Sequence, residues 1–90
     1  MNMEDIFSDR VQVSVNQLGA SLTFLRTEPP NQDGSVLPPI PVVRIRLSPA
    51  MLKLVAMTVR RAMKLHEGAV GEIRLDPAFL NEIGVSIEDW

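Results

Sequence analysis

Val42-Val43-Arg44-Ile45-Arg46-Leu47-Ser48-Pro49 runs without interruption into the segment from Ala50 to Glu67. Val43, Ile45 and Leu47 alternate with Arg44 and Arg46, the period of a strand with one apolar face. Ser48 then offers a hydroxyl to an orphan N–H of a helical first turn. Pro49 fits the first helical position, where no N–H is needed. The junction predicts a strand over 42–47 and a long helix over 49–67, with Gly68 as its C-terminal cap. That handover decides the fold class, α+β. It also raises the question of what covers a helix that is apolar around more than half its circumference.

Upstream, Val11, Val13 and Val15 alternate with Gln12, Ser14 and Asn16, the pattern of a half-buried strand. Gln17-Leu18-Gly19 supplies a turn in which Gly19 can take positive φ. Ala20, Leu22 and Phe24 share one face of a second strand, so 11–27 reads as an antiparallel hairpin. Met1 to Ser8 is an acidic lead-in that Ile6 and Phe7 can anchor. Residues 28–41 hold Pro29, Pro30, Pro38, Pro39 and Pro41 and read as a proline-rich loop, flexible around 31–35. Its apolar residues Val36, Leu37 and Ile40 are available to cover a sheet edge. Downstream, Glu72 to Leu75 is a short extended piece. Asp76-Pro77 is a second helix start and Gly84 its stop, within a helical tail over 77–90. The whole chain reads as a single α+β domain. It has a small antiparallel sheet of three or four strands packed on one long helix, with a short C-terminal helix.

Helical residues advance by about 100° each. On that wheel Lys53, Arg60, Arg61, Lys64 and Glu67 share a sector with Met57. The rest is apolar or small, and includes Met51, Leu54, Val55, Thr58 and Leu65. An ordinary surface helix carries a stripe of roughly 100°, so this one has a second flank to cover. Met51, Leu54, Val55, Thr58 and Leu65 are therefore candidate self-association residues, with the third strand as a further contact. The alternative cover is the apolar tail: Phe79, Leu80, Ile83, Val85, Ile87 and Trp90. No acidic residue falls between Asp33 and Glu67. That window holds Arg44, Arg46, Lys53, Arg60, Arg61 and Lys64, a candidate basic surface for phosphates or for acidic segments such as Glu82, Glu88 and Asp89.

Composition narrows the chemistry. Ninety residues suffice for one domain at most, and so short a chain often takes extra core from a second copy. The net charge of −2 gives no global attraction to nucleic acid or anionic membrane. The 4% aromatic content offers few stacking platforms, so nucleic acid is an unfavoured partner. Without cysteine there is no disulfide framework, redox motif or thiolate metal site. The lone His66, near the helix end, suits the negative end of the helix dipole better than catalysis. Ser48 is explained by capping. No phosphate-binding, dinucleotide or nucleophile-elbow motif occurs. No apolar run reaches the roughly 18 residues a bilayer span needs. The expectation is a soluble cytoplasmic protein that is not an enzyme and takes no cofactor or metal. Its partner would be itself, as a homodimer or higher, or another protein.

The junction Arg44-Ile45-Arg46-Leu47-Ser48-Pro49-Ala50, with Leu65-His66-Glu67 and Gly71-Glu72-Ile73 after it, resembles a family of small bacterial proteins grouped as a domain of unknown function. The resemblance covers about Val11 to Ile73. It implies a strand-rich first half, an apolar strand ending in Ser-Pro and one long helix, and it carries no catalytic residues. The architecture is also similar, more loosely, to SecB-like export chaperones, which bind unfolded segments in apolar grooves. The function expected is a non-catalytic homodimeric interaction or adaptor protein. The alternatives are a SecB-like chaperone or antitoxin-type binder of polypeptide, and a nucleic-acid binder using the window from Arg44 to Lys64.

Overall fold

The computed structural model describes residues 3–90; Met1 and Asn2 of the expected lead-in lie outside the described residues. The chain is α+β. Strands β1 (Arg10–Asn16), β2 (Gly19–Arg26) and β3 (Ile40–Leu47) are followed by helix α1 (Pro49–Val70), helix α2 (Pro77–Ile83) and a single 3₁₀ turn (Ile87–Asp89). Two compact units result, one reaching to Lys53 and one starting at Leu54.

In the first unit the three strands form an antiparallel sheet in the order β1-β2-β3. Cross-strand partners share a face. The apolar face is three rows of three: Val11-Phe24-Val43, Val13-Leu22-Ile45 and Val15-Ala20-Leu47. The opposite face carries Gln12-Thr23-Arg44 and Ser14-Ser21-Arg46. There the Arg44 guanidinium donates from Nε to Thr23 Oγ1 at 3.1 Å. A bulge at Phe24/Leu25 leaves Val42 without a partner, since Phe24 pairs Val43 and Leu25 pairs Pro41. A bulge next to a proline on an edge strand is where a missing ladder donor is tolerated. The strand therefore starts at Ile40, two residues before the expected bound.

The turn between β1 and β2 is made by Asn16. Its Oδ1 accepts from Leu18 N at 2.8 Å and Gly19 N at 3.0 Å, an Asx turn. Gly19 closes the turn at positive φ, 159°, a conformation that residues with side chains rarely adopt. The segment over 31–35 closes on itself. Asn31 N donates to Ser35 O, and Asp33 Oδ1 accepts from both Ser35 N and Ser35 Oγ. Those bonds hold the Asp33 carboxyl below the usual carboxylate range.

Ser8 and Asp9 stitch the lead-in to β2. Ser8 Oγ lies 2.7 Å from the Leu25 carbonyl, and Asp9 Oδ1 accepts from Thr27 N at 2.8 Å. Hydrogen bonds from the Thr27 backbone and hydroxyl lower the Asp9 pKa, with a smaller contribution from Arg10. A carboxyl more acidic in the folded than in the unfolded chain adds stability above its ordinary value, near 3.9. It loses that contribution as pH falls through the lower folded value. The Asp9 carboxyl is therefore expected to titrate below that of a free aspartate in an NMR pH series. Asp9→Asn should remove this part of the acid dependence of unfolding; a normal Asp9 titration would refute the assignment.

Only Ala20, Thr23 and Leu25 are buried among the described residues. All three lie on β2, the strand with a neighbour on each side. The expected half-buried β1 is different: every residue from Val11 to Asn16 is exposed, whereas Val42, Val43 and Leu47 on the other edge strand are half-buried.

In the second unit α1 runs past Gly68 and ends at Val70. Gly71 is the first residue to leave helical space, at φ 109°, and its N–H reaches Glu67 O at 2.8 Å. Residues 71–76 form no strand. Helix α2 begins as its sequence predicts. Asp76 Oδ1 accepts from Ala78 N at 3.0 Å, Pro77 occupies the first turn, and Gly84 closes it in the left-handed conformation, at φ 73°. Ser86 and Asp89 form a reciprocal capping box on the last turn.

Candidate functional site

The second unit is organised around Glu67. Its Oε1 accepts from Trp90 Nε1 at 2.8 Å and its Oε2 accepts from Ile73 N at 2.8 Å. One carboxylate thus pins both the chain that leaves α1 and the chain that returns to it. The Trp90 ring lies under the Lys64 ammonium, 4.9 Å from the centroid, with the Arg60 guanidinium at 5.8 Å. Arg60 Nε also donates to the Trp90 carbonyl at 2.7 Å. The tail therefore folds back on α1 of its own chain, and Trp90 is 37% exposed. Beneath it is a cavity of about 250 Å³ whose lining includes Met63, Ile73, Leu75, Leu80, Ile87 and Trp90. The surface it presents is mostly apolar, and Glu67 in its wall is engaged by its two donors. Glu72, Ser86 and Asp89 complete its polar lining.

Trp90 docks on the flank of α1 that presents Met63, Glu67, Arg60 and Lys64. About half a turn round the wheel, Leu54, Val55, Thr58 and Leu65 share an arc of roughly 100°. In the second unit this stripe is open: Leu54 is 56% and Leu65 67% exposed. Val55 is half-buried. The Thr58 hydroxyl donates to Leu54 O at 2.8 Å. That bond satisfies its polar atom inside the helix and leaves its methyl group to the surface. Met51, in the first helical turns, is exposed and belongs to the first unit.

The basic candidates fall into two sets. In the first unit Arg44 and Arg46 share the polar face of the sheet, and Lys53 is exposed on α1. In the second unit Arg60, Arg61 and Lys64 line a shallow depression with Met57 and Leu65. Arg60 and Lys64 are committed to Trp90, a role that the sequence alone did not reveal. The ridge is thus part of a clamp. Replacing Arg60 by Ala is expected to lower the unfolding free energy by about 1–2 kcal/mol, a charged hydrogen bond and a cation–π contact being lost. Arg61→Glu should change it by less than about 0.5 kcal/mol. Equal effects in thermal melts would show that Arg60 is only solvated.

His66 is exposed and lies four residues before the end of α1, whose last turn holds no basic residue. Ser48 caps α1 as read, its Oγ accepting from Met51 N at 3.1 Å. Among the described residues, no three His, Asp or Glu side chains converge as a metal site would require. None of the described helices is long and apolar enough to cross a membrane. No family model, curated protein or solved structure matches the chain.

Proposed function

We propose that this chain is a non-catalytic, homodimeric interaction protein whose α1 stripe, Leu54, Val55, Thr58 and Leu65, faces a second copy. The observation behind this reading is the area left in water. The chain exposes 7908 Å². A single folded domain of its mass exposes roughly 5,200 Å², and two separate bodies of these lengths roughly 6,300 Å². The surplus over even the larger figure is about 1,600 Å², whereas a standard stable dimer covers about 800 Å² of each partner. The stripe is where α1 carries large apolar side chains that the tail leaves uncovered.

Sedimentation or light scattering at micromolar concentration tests this. A mass of at least twice the 10.0 kDa chain is expected; a mass of one chain would end the proposal. The same open surface is what a chaperone-like binder of polypeptide would need. Stoichiometric capture of an unfolded model protein by the wild-type chain would favour that reading. Nucleic acid is the weaker alternative, because the Arg60–Trp90 clamp takes two of the three cations on the second unit's ridge. Any association with DNA or RNA should fade steeply with salt as condensed counterions are released. Tight, salt-resistant retardation in a shift assay would contradict this.

A further inference from the structure

We infer that the outer edge of β1 is a second self-contact, pairing antiparallel with β1 of another copy about a twofold axis at Val13 to give a continuous six-stranded sheet. This rests on the self-association proposed above and adds a surface separate from the α1 stripe.

The two edges of the sheet are unlike. An edge strand presents unpaired N–H and C=O groups, and proteins guard such edges with proline, charge or bulges. β3 has all three guards: Pro41, Arg44 with Arg46, and the bulge at Val42. From Val11 to Asn16, β1 has none of them. Its three valines are 45%, 58% and 58% exposed.

The sequence of β1 is self-complementary when reversed. Pairing all seven residues antiparallel sets Val13 against Val13, Val11 against Val15, Gln12 against Ser14 and Arg10 against Asn16. Every valine then meets a valine on one face, and every polar residue meets a polar one on the other. No cation faces a cation. Pairing all eight residues of β3 in the same way sets Arg44 against Val43 and Arg46 against Pro41, apolar against polar. The shifted registers centred on Ile45 or Arg44 put Arg44 against Arg46 or against itself, where like charges directly opposite are destabilising. The pairing also extends the apolar rows. Val13-Leu22-Ile45 becomes one row of six, and the other two rows join each other's copies. A register one residue away would set valines against polar side chains and forfeit that continuity. A second copy therefore matches the β1 edge in register, charge and face.

The chain has no cysteine, so single-cysteine variants report cleanly. Under mild oxidation Val13→Cys should become a covalent dimer nearly completely, with equal directly opposed residues at disulfide distance. An equimolar mixture of Val11→Cys and Val15→Cys should cross-link between the two variants far more than either does alone. Leu18→Cys, at the tip of the hairpin and remote from its copy in this register, should cross-link at least tenfold less. The mixture keeps the test open should Val13→Cys fail to fold. An associated wild-type chain in which neither Val13→Cys nor the mixture cross-links would overturn the β1 contact, leaving the edge for a strand of another protein and the α1 reading intact. A wild-type mass of a single chain would overturn both.

Discussion

Leu54→Glu is expected to weaken self-association through α1 at least a hundredfold at neutral pH. Burying a leucine side chain is worth about 1.5–3 kcal/mol. In a twofold-symmetric interface each substitution is counted twice, giving about 3–6 kcal/mol before the cost of a buried carboxylate is added. Each 1.4 kcal/mol is a factor of ten in affinity. Leu54 suits the test because it sits on the open stripe, away from the Glu67–Trp90 assembly, so the second unit should keep its fold. Concentration-dependent sedimentation of wild type and variant, with circular dichroism to verify helix content, makes the comparison. An unchanged association constant in a folded Leu54→Glu chain would remove α1 from the interface. A variant that is insoluble when expressed would leave Thr58→Lys, on the same arc, as the milder substitution.

Trp90→Ala should destabilise the second unit by about 2–4 kcal/mol. The full truncation of a buried large aromatic costs about 3–5 kcal/mol, and Trp90 is 37% exposed, which lowers the expected cost by about 1 kcal/mol. The loss combines the bond to a charged Glu67 acceptor, the contacts with Lys64 and Arg60, and the roof of the cavity. Glu67→Ala should cost nearly as much, because it orphans Ile73 N together with Trp90 Nε1. The double variant should fall short of the sum, as expected for residues in contact. Trp90 fluorescence gives a second measure. In the wild type it should be blue-shifted and partly shielded from quencher, and in Glu67→Ala red-shifted and open. A freely quenched wild-type signal would refute the docked tail.

What the sequence revealed was local. Ser48-Pro49, Asp76-Pro77 and Gly84 are start and stop signals whose chemistry acts within one turn of a helix, and all three operate where they were read. The alternation of the valines placed β1 in a hairpin, and the arginines of the third strand marked its polar face. The half-burial of β1 was misjudged because period 2 tells which side chains share a face and not whether anything packs on that face. The helix passed Gly68 because a glycine inside a helix costs only about 1 kcal/mol relative to alanine, and Gly71 was the residue that took positive φ. Glu67 carried no signal. Its partners are Ile73 and Trp90, and a contact 23 residues away in sequence leaves no trace in spacing. Comparable separations hid the use of Arg60 and Lys64 on Trp90, where the sequence offered phosphates or acidic segments such as Glu88 and Asp89 as their partners.

The guarding of β3 bears on size as well as on choice of neighbour. A sheet with two receptive margins can lengthen without limit, the route by which strand addition makes filaments. This sheet has one. Once β1 has met its copy, both outer margins of the doubled sheet are β3, each carrying Pro41, the bulge at Val42 and two arginines. Strand addition then halts after a single step. The pairing consumes the one unguarded margin among the described strands, and the sheet itself ends at six strands.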